Sequence, residues 1–386
     1  MNRTLPEAYI VEAVRTPVGR RGGALSTVDP ADLAAHSLTA LMERSGIDPG
    51  AVEDVILGCF DQHGPQAGDI ARTAWLAAGL PEHVPGVTID RQCGSSQQSV
   101  HFAAQAVMSG VSDVVVAGGV QSMSIVPFQS TFHTTETVGI PEPFLSSKGW
   151  VKRYGTQEVS QFRAAEMIAE KWNFSREQLE EYAVMSHERA ITATAEGRFE
   201  REIAPLNGLS VDEGPREPNL DKIRSLKPLT EGGRVTPAVS SQISDASGAM
   251  LIVSEQALKT HGLTPRARVH QMAVRADDPI MMLTAPIAAT EWALKKAGMT
   301  IDDIDVFEAN EAFAPVVMAW EHDLGIDHAK VNVNGGAIAL GHPIGATGVR
   351  LMTTLLHELE RTDGRFGLQT MCEGGGQSNA TIIERL

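Results

Sequence analysis

The 386-residue sequence predicts an α/β protein of layered build, made of two similar halves with a long insertion in the first. Three observations carry this. Short apolar runs rich in β-branched residues alternate with segments of helical period, the grammar of a sheet covered by helices. Two stretches of the first half are echoed in the second: SGIDPGAVEDVILG (45–58) in AGMTIDDIDVFEA (297–309), and 87–107 in 331–352. And the late strand 366–371 reaches the strand 379–384 through CEGGGQS alone, whereas their counterparts 113–118 and 249–255 are parted by everything between, too long a span for a bare connection.

In chain order, YIVEAV (9–14) and EDVILGCF (53–60) read as strands around a helix over 32–46. A helix over 69–80, a strand over 86–90, a helix from Ser95 that stops at Gly110 and a strand over 113–118 follow. In the second half a strand over 267–275, a helix over 289–298 and a strand over 303–309 lead into a helix over 312–325. The strand KVNV (330–333), a helix over 345–361 and the two closing strands complete it. The expected division is a first half over 1–264, carrying an inserted loop domain at 119–248, and a second half over 265–386. The insert holds an amphipathic helical pair over 164–199 and then a run in which Arg216, Lys222, Arg224, Lys227 and Arg234 stand out. That run is either a solvated loop or a local catch for a phosphorylated ligand.

The net charge of −16 repels nucleic acid and anionic membranes, and no apolar run is long enough to span a bilayer. The N-terminal stretch lacks a basic segment followed by an apolar one, so no secretory leader is expected. Three widely spaced cysteines, Cys59, Cys93 and Cys372, suit a reducing, cytoplasmic setting and offer neither a disulfide framework nor a metal site.

Four motifs carry chemistry. In RQCGSS, Cys93 stands at the mouth of a helix, where free N–H groups favour a thiolate; a small buried core filler is the alternative. NVNGGAIALGHPIGATG (332–348) sets His342 between a glycine and a proline, and lacks the spacing of a nucleotide loop. TMCEGGGQSNA places Cys372 ahead of three glycines whose N–H groups are free to face a ligand. FEANEAFAP puts Asn310 and Glu311 beyond a strand, where Asn310 is either a helix cap or part of a site. All four lie at element junctions, which gather at one edge of an α/β sheet. Two thiols, an imidazole and an amide together suit acyl transfer through a covalent thioester.

These motifs, with VEAVRTPVGRRGGALS, AGGVQSMS and RVTPAVSSQISDASGA, resemble the thiolases over nearly the whole chain. The resemblance implies a five-layer αβαβα sandwich and a ping-pong reaction: thiolysis of a 3-ketoacyl-CoA to acetyl-CoA and a shortened acyl-CoA, or Claisen condensation in reverse. It implies Cys93 as nucleophile, His342 as its activator and Cys372 as the second proton carrier. Asn310 would position a water in one oxyanion hole, and the N–H groups of Cys93 and Gly374 would form another. Arg216, Lys222 and Ser241 would contact coenzyme A, a co-substrate rather than a resident cofactor; no metal is implied, and a homodimer or homotetramer is. Four residues depart from the family pattern: Gln121 for a glutamate, Phe162 and Arg163 in a segment bordering the acyl pocket, and Glu373 for an apolar residue. A biosynthetic acetoacetyl-CoA thiolase, a condensing enzyme of the same fold and a non-catalytic binder of CoA thioesters are the competing readings. Cys372 argues against the condensing enzyme, and the complete set of four argues against the binder.

Overall fold

The computed structural model describes residues 6–386. The first five residues of the stretch read for a leader lie outside the described residues. The chain runs β1 (Tyr9–Arg15), β2 (Gly19–Arg20), α1 (Pro30–Ser45), β3 (Asp54–Gly58), α2 (Ile70–Ala77), β4 (Gly86–Ile89), α3 (Ser95–Ser109) and β5 (Val114–Ser122). Between β5 and β6 (Ser244–Val253) come α4 (Ser130–Val138), α5 (Lys148–Tyr154), α6 (Gln161–Lys171), α7 (Arg176–Ala195) and α8 (Leu220–Ser225). After α9 (Glu255–His261) follow β7 (Ala267–Ala276), α10 (Ala285–Ala297), β8 (Val306–Ala309), α11 (Ala314–Leu324) and α12 (Ala337–Leu340). The chain ends with α13 (Ile344–Thr362), β9 (Phe366–Glu373) and β10 (Gln377–Arg385).

The strands lie in the order β4-β3-β5-β6-β1-β7-β10-β9-β8, with β2 on β6. In the first half β3 runs parallel to β5, β5 antiparallel to β6 and β6 antiparallel to β1. The second half repeats this with β8, β9, β10 and β7. The halves join edge to edge where β1 meets β7, with Tyr9 against Arg268 and Ile10 against Ala267. The duplication read from the sequence is therefore present strand for strand, with one exception. KVNV forms no strand; Val331 makes an isolated bridge to Phe307. The cause is Asn332, whose backbone turns left-handed (φ 46°) and whose amide bonds both the N–H and the carbonyl of Ala309 at 2.9 and 2.8 Å. A side chain has taken the place of a strand's backbone.

Five layers result. Helices α1 and α2 cover the outside of the first half, and α10 and α11 that of the second. Helices α3 and α13 form the middle layer between the two sets of strands. Every residue of α13 from Ile344 to Leu359 is buried, as a helix with sheet on two sides must be. The two central helices meet at their N-terminal ends because glycine stands there: a Cβ on Gly348 would lie 2.2 Å from the backbone nitrogen of Gln97. Ser96 Oγ, accepting from Val349 N–H at 3.0 Å, ties the ends together. That contact positions the candidate site, because residue 93 precedes one helix and residue 342 the other.

Candidate active site

Cys93 sits on the tight turn from β4 into α3. Gln92 adopts φ 51°, held by its own N–H on Asp90 Oδ1 at 2.6 Å and by Ser95 Oγ donating to its carbonyl at 2.6 Å. The turn lifts Cys93 to the meeting point of two cavities. One, of about 220 Å³, is bounded by Phe162, Leu229, Ser241, Phe313 and His342. The other, of about 80 Å³, is walled by Phe60, Phe132, Phe144, Met282 and Gly374. Phe128, Gln161 and Ile344 border both. Burial, then the carboxylates of Glu373 and Asp90, push the Cys93 thiol up to about 12; the backbone N–H groups of Cys93 and Gly374 act the other way.

His342 ends the short segment after α12 and enters α13. Its Nδ1 lies 2.6 Å from Thr347 Oγ1, and that hydroxyl donates its only proton to the Pro343 carbonyl at 2.9 Å. Thr347 can then only accept from the ring, so the network assigns the proton to Nδ1 and leaves the Nε2 lone pair unprotonated. Asn310 Nδ2 approaches Nε2 at 3.4 Å. Burial, with Arg350 adding to it, lowers His342 to about 3, so the ring is neutral.

Asn310 is placed by its neighbour. Glu311 is buried and accepts from Ser186 Oγ at 2.7 Å, Tyr182 Oη at 3.2 Å and the Ile338 N–H at 3.0 Å. Helix α7 of the long β5–β6 connection thus anchors the loop after β8. The sequence showed Glu311 beside Asn310 but not this role, since its partners lie in remote segments. Gln242 is a second residue that sequence reasoning missed: its carbonyl accepts from His342 N–H at 3.0 Å, and its amide bonds the Ile338 and Ala339 carbonyls at 2.8 Å each.

Cys372, near the end of β9, is fully buried and contributes to neither cavity wall. Burial, Cys93 and Glu373 push its thiol well up. The two sulfurs therefore feel each other, but Cys372 is more enclosed than a residue facing a ligand from a glycine loop. Gly374 lies in the smaller cavity's wall, packed so closely that a Cβ there would come within 2.6 Å of Gln92 Oε1.

Arg216 and Lys222 line a third cavity of about 420 Å³ with His187, Asn219 and Leu226, and Pro237 belongs to both this cavity and the larger one at Cys93. Ser241 is on the Cys93 side of that boundary. Burial lowers the Arg216 guanidinium, and burial with Arg216 lowers His187 to about 4.

The departures resolve individually. Gln121 is a neutral brace: its Oε1 accepts from Phe60 and Gly345 N–H at 3.0 and 3.1 Å, and its Nε2 donates to the Phe60 carbonyl at 2.8 Å. Phe162 forms cavity wall, set edge-on to Phe313 with ring centres 5.8 Å apart. Arg163 instead reaches back to the Glu158 carbonyl and Gln157 Oε1. Glu373 points inward and lies against Gly94.

Comparison with known proteins agrees. The family model described as the thiolase N-terminal domain matches residues 8–256, and that of the thiolase C-terminal domain matches 263–385. The chain is 60% identical to the steroid 3-ketoacyl-CoA thiolase FadA6 of Mycobacterium tuberculosis, covering 99% of this chain and 95% of that protein. It is 41% identical to a 3-ketoacyl-CoA thiolase of Aeromonas salmonicida, over 99% and 100% respectively. Human mitochondrial 3-ketoacyl-CoA thiolase in complex with CoA superposes with a TM-score of 0.89 at 35% identity, over 99% and 98% of the two chains. The Bacillus anthracis acetyl-CoA acetyltransferase gives 0.87 at 36%, over 99% of each. With paired family models along its length, close relatives of the same kind and a shared five-layer fold, this chain belongs to the thiolases and is an acyltransferase.

Proposed function

We propose that this thiolase degrades 3-ketoacyl-CoA thioesters by the acyl-cysteine route, with Cys93, His342, Cys372 and Asn310 as its catalytic set. The observation that carries the reading is the pairing at the cavity junction: a thiol on a helix-entry turn and a neutral imidazole with its Nε2 lone pair unprotonated. His342 takes the Cys93 proton, and the sulfur attacks the 3-keto carbon. The bond between the α and β carbons breaks, the acyl group stays on Cys93, and the acetyl-CoA enolate leaves with a proton from Cys372. CoA then gives its thiol proton to the Cys372 thiolate, its sulfur attacks the acyl carbon, and the released Cys93 thiolate takes back the proton held by His342. The N–H groups of Cys93 and Gly374 face one developing oxyanion, and a water on Asn310 and His342 the other, each such site contributing about 3 kcal/mol. Enclosure suits Cys372, because a proton destined for carbon is safest away from solvent.

Coenzyme A would lie with its phosphates toward Arg216 and Lys222 and its pantetheine arm past Ser241 to Cys93; the shared wall at Pro237 supports that path. The acyl group falls to the smaller, aromatic cavity. Relatives acting on steroid and other 3-ketoacyl-CoA thioesters favour degradation of apolar acyl groups over acetoacetyl-CoA synthesis. We further take the halves to divide at 264/265 with the insert over 119–248, and the enzyme to work as a cytoplasmic homo-oligomer. Incubation with acetyl-CoA should add one acetyl group to Cys93 by peptide mass spectrometry, lost in Cys93→Ala. Folded protein that takes up no acetyl group would overturn the reading.

A further inference from the structure

Glu373 is a fully buried carboxylic side chain beside both thiols. It presses on the Cys93 turn so closely that a Cβ on Gly94 would lie 1.8 Å from its Oε1. Its Oε1 accepts from the Asn379 N–H at 3.0 Å, and its Oε2 is buried with no hydrogen-bond partner among the described residues. The charged and titratable groups around it are Arg91 and Asp90 on the Cys93 turn, His101 on α3, and the two thiols. Arg91 spends a bond on Gln377 Oε1 at 2.9 Å, and His101, held neutral by burial, contacts the Asn379 amide. No cation is in ion-pair contact with Glu373 among the described residues.

We propose that Glu373 is a positioning residue that works in its protonated form: uncharged, it seats the Gly94 turn that carries Cys93; ionised, it opposes negative charge on either sulfur. A buried carboxylate oxygen without a donor is costly, and an uncharged acid in the same place much less so. Burial raises this carboxyl to about 8, with Arg91 and the Asn379 N–H opposing. Below that pH it keeps its proton. Above it the proton passes to solvent, and a negative charge appears against the helix entry that must stabilise the Cys93 thiolate. The carboxyl is thus a built-in alkaline brake on thiol ionisation.

The inference rests on Cys93 being the working thiol, but its test reads thiol ionisation and needs no turnover. The rate of iodoacetamide alkylation at Cys93, followed by mass spectrometry between pH 6 and 9.5, should climb in the native protein and then flatten above about pH 8. In Glu373→Gln, which keeps the acceptor for Asn379 and has no charge, the rate should keep climbing about tenfold per pH unit and exceed native by about tenfold at pH 9.5. Arg91→Gln, with Glu373 intact, should move the break to higher pH and covers the case in which the first variant fails to fold. A native profile without a break, or superimposable native and Gln profiles, would overturn the proposal. A break without acetyl uptake from acetyl-CoA would sink the thiolysis reading and leave this one standing.

Discussion

His342 Nδ1 rests 2.6 Å from the hydroxyl of Thr347, a residue one helical turn into α13 whose own proton is bonded to the Pro343 carbonyl. One threonine thus fixes both the orientation and the tautomer of the imidazole.

Thr347→Val keeps the shape and removes both hydrogen bonds. It frees the ring to carry its proton on the wrong nitrogen, so kcat/KM for thiolysis should fall about 100-fold. Thr347→Ser restores the hydroxyl and should restore most of the rate. Steady-state kinetics of the pair check this, and equal losses in both variants would assign Thr347 to packing alone.

Gly348→Ala tests the contact that brings the two helix entries together. The new methyl would meet backbone rather than a flexible side chain, so α13 must shift away from α3. A loss of about 2–4 kcal/mol in urea unfolding is expected. Acylation of Cys93 should slow as well, since the shift separates Cys93 from His342. Unchanged unfolding with a methyl in place would mean that the helices do not meet as closely as described.

Stability should decline as pH rises above 6.5. His101 and His342 are lowered to about 3 by burial, and His187 to about 4, from an ordinary 6.5. Between those values and 6.5 the unfolded chain binds more protons than the folded one, so these groups make stability fall as pH drops. Glu308 and Glu373 are raised by burial to about 8 from 4.5. Between 4.5 and 8 the folded chain holds the extra protons, so these two make stability fall as pH rises. Where the windows overlap the effects oppose; above 6.5 only the carboxyls still act. Melting temperatures across pH 5 to 8.5 should therefore decline on the alkaline side, and Glu308→Gln should lessen that decline.

The wall between the two cavities at Cys93 includes Phe128. Phe128→Ala should merge them and shift the kcat/KM ratio of a ring-bearing 3-ketoacyl-CoA over acetoacetyl-CoA upward by about tenfold. A panel of thioesters of rising bulk measures the shift. An unchanged ratio would place the acyl group elsewhere.

The strands and central helices were legible because their patterns are local: period two or short apolar runs for one, helical spacing for the other, with a glycine stop at Gly110 for α3. The four residues proposed for catalysis could be singled out because each stands in a motif at an element's end. KVNV was misread because Asn332, a polar residue that suits neither face, replaces the ladder with its own amide. The cavity walls were not legible, since Phe60, Phe132, Phe144 and Met282 come from separate segments whose meeting is tertiary. The direction of Glu373 was hidden for another reason. From Gly367 to Glu373 every residue of β9 is buried, so alternation gives no clue to which side a carboxylate takes.

The proposed reach of coenzyme A toward Arg216 is open to a test that separates binding from chemistry. Arg216 lies in the third cavity, away from both sulfurs, and a guanidinium stays cationic even where burial lowers it. A contact made equally in ground and transition states lowers KM without raising kcat. Arg216→Ala should therefore raise the KM for CoA about tenfold and leave kcat within about twofold. The same argument identifies the group it meets. If Arg216 holds the 3′-phosphate, native enzyme should lose about as much on dephospho-CoA as the variant loses on CoA, and the variant should lose little more when both are changed. Additive losses would mean that the arginine and the phosphate act apart. The phosphate would then be left to Lys222, and Lys222→Ala would show the coupling that Arg216→Ala lacks.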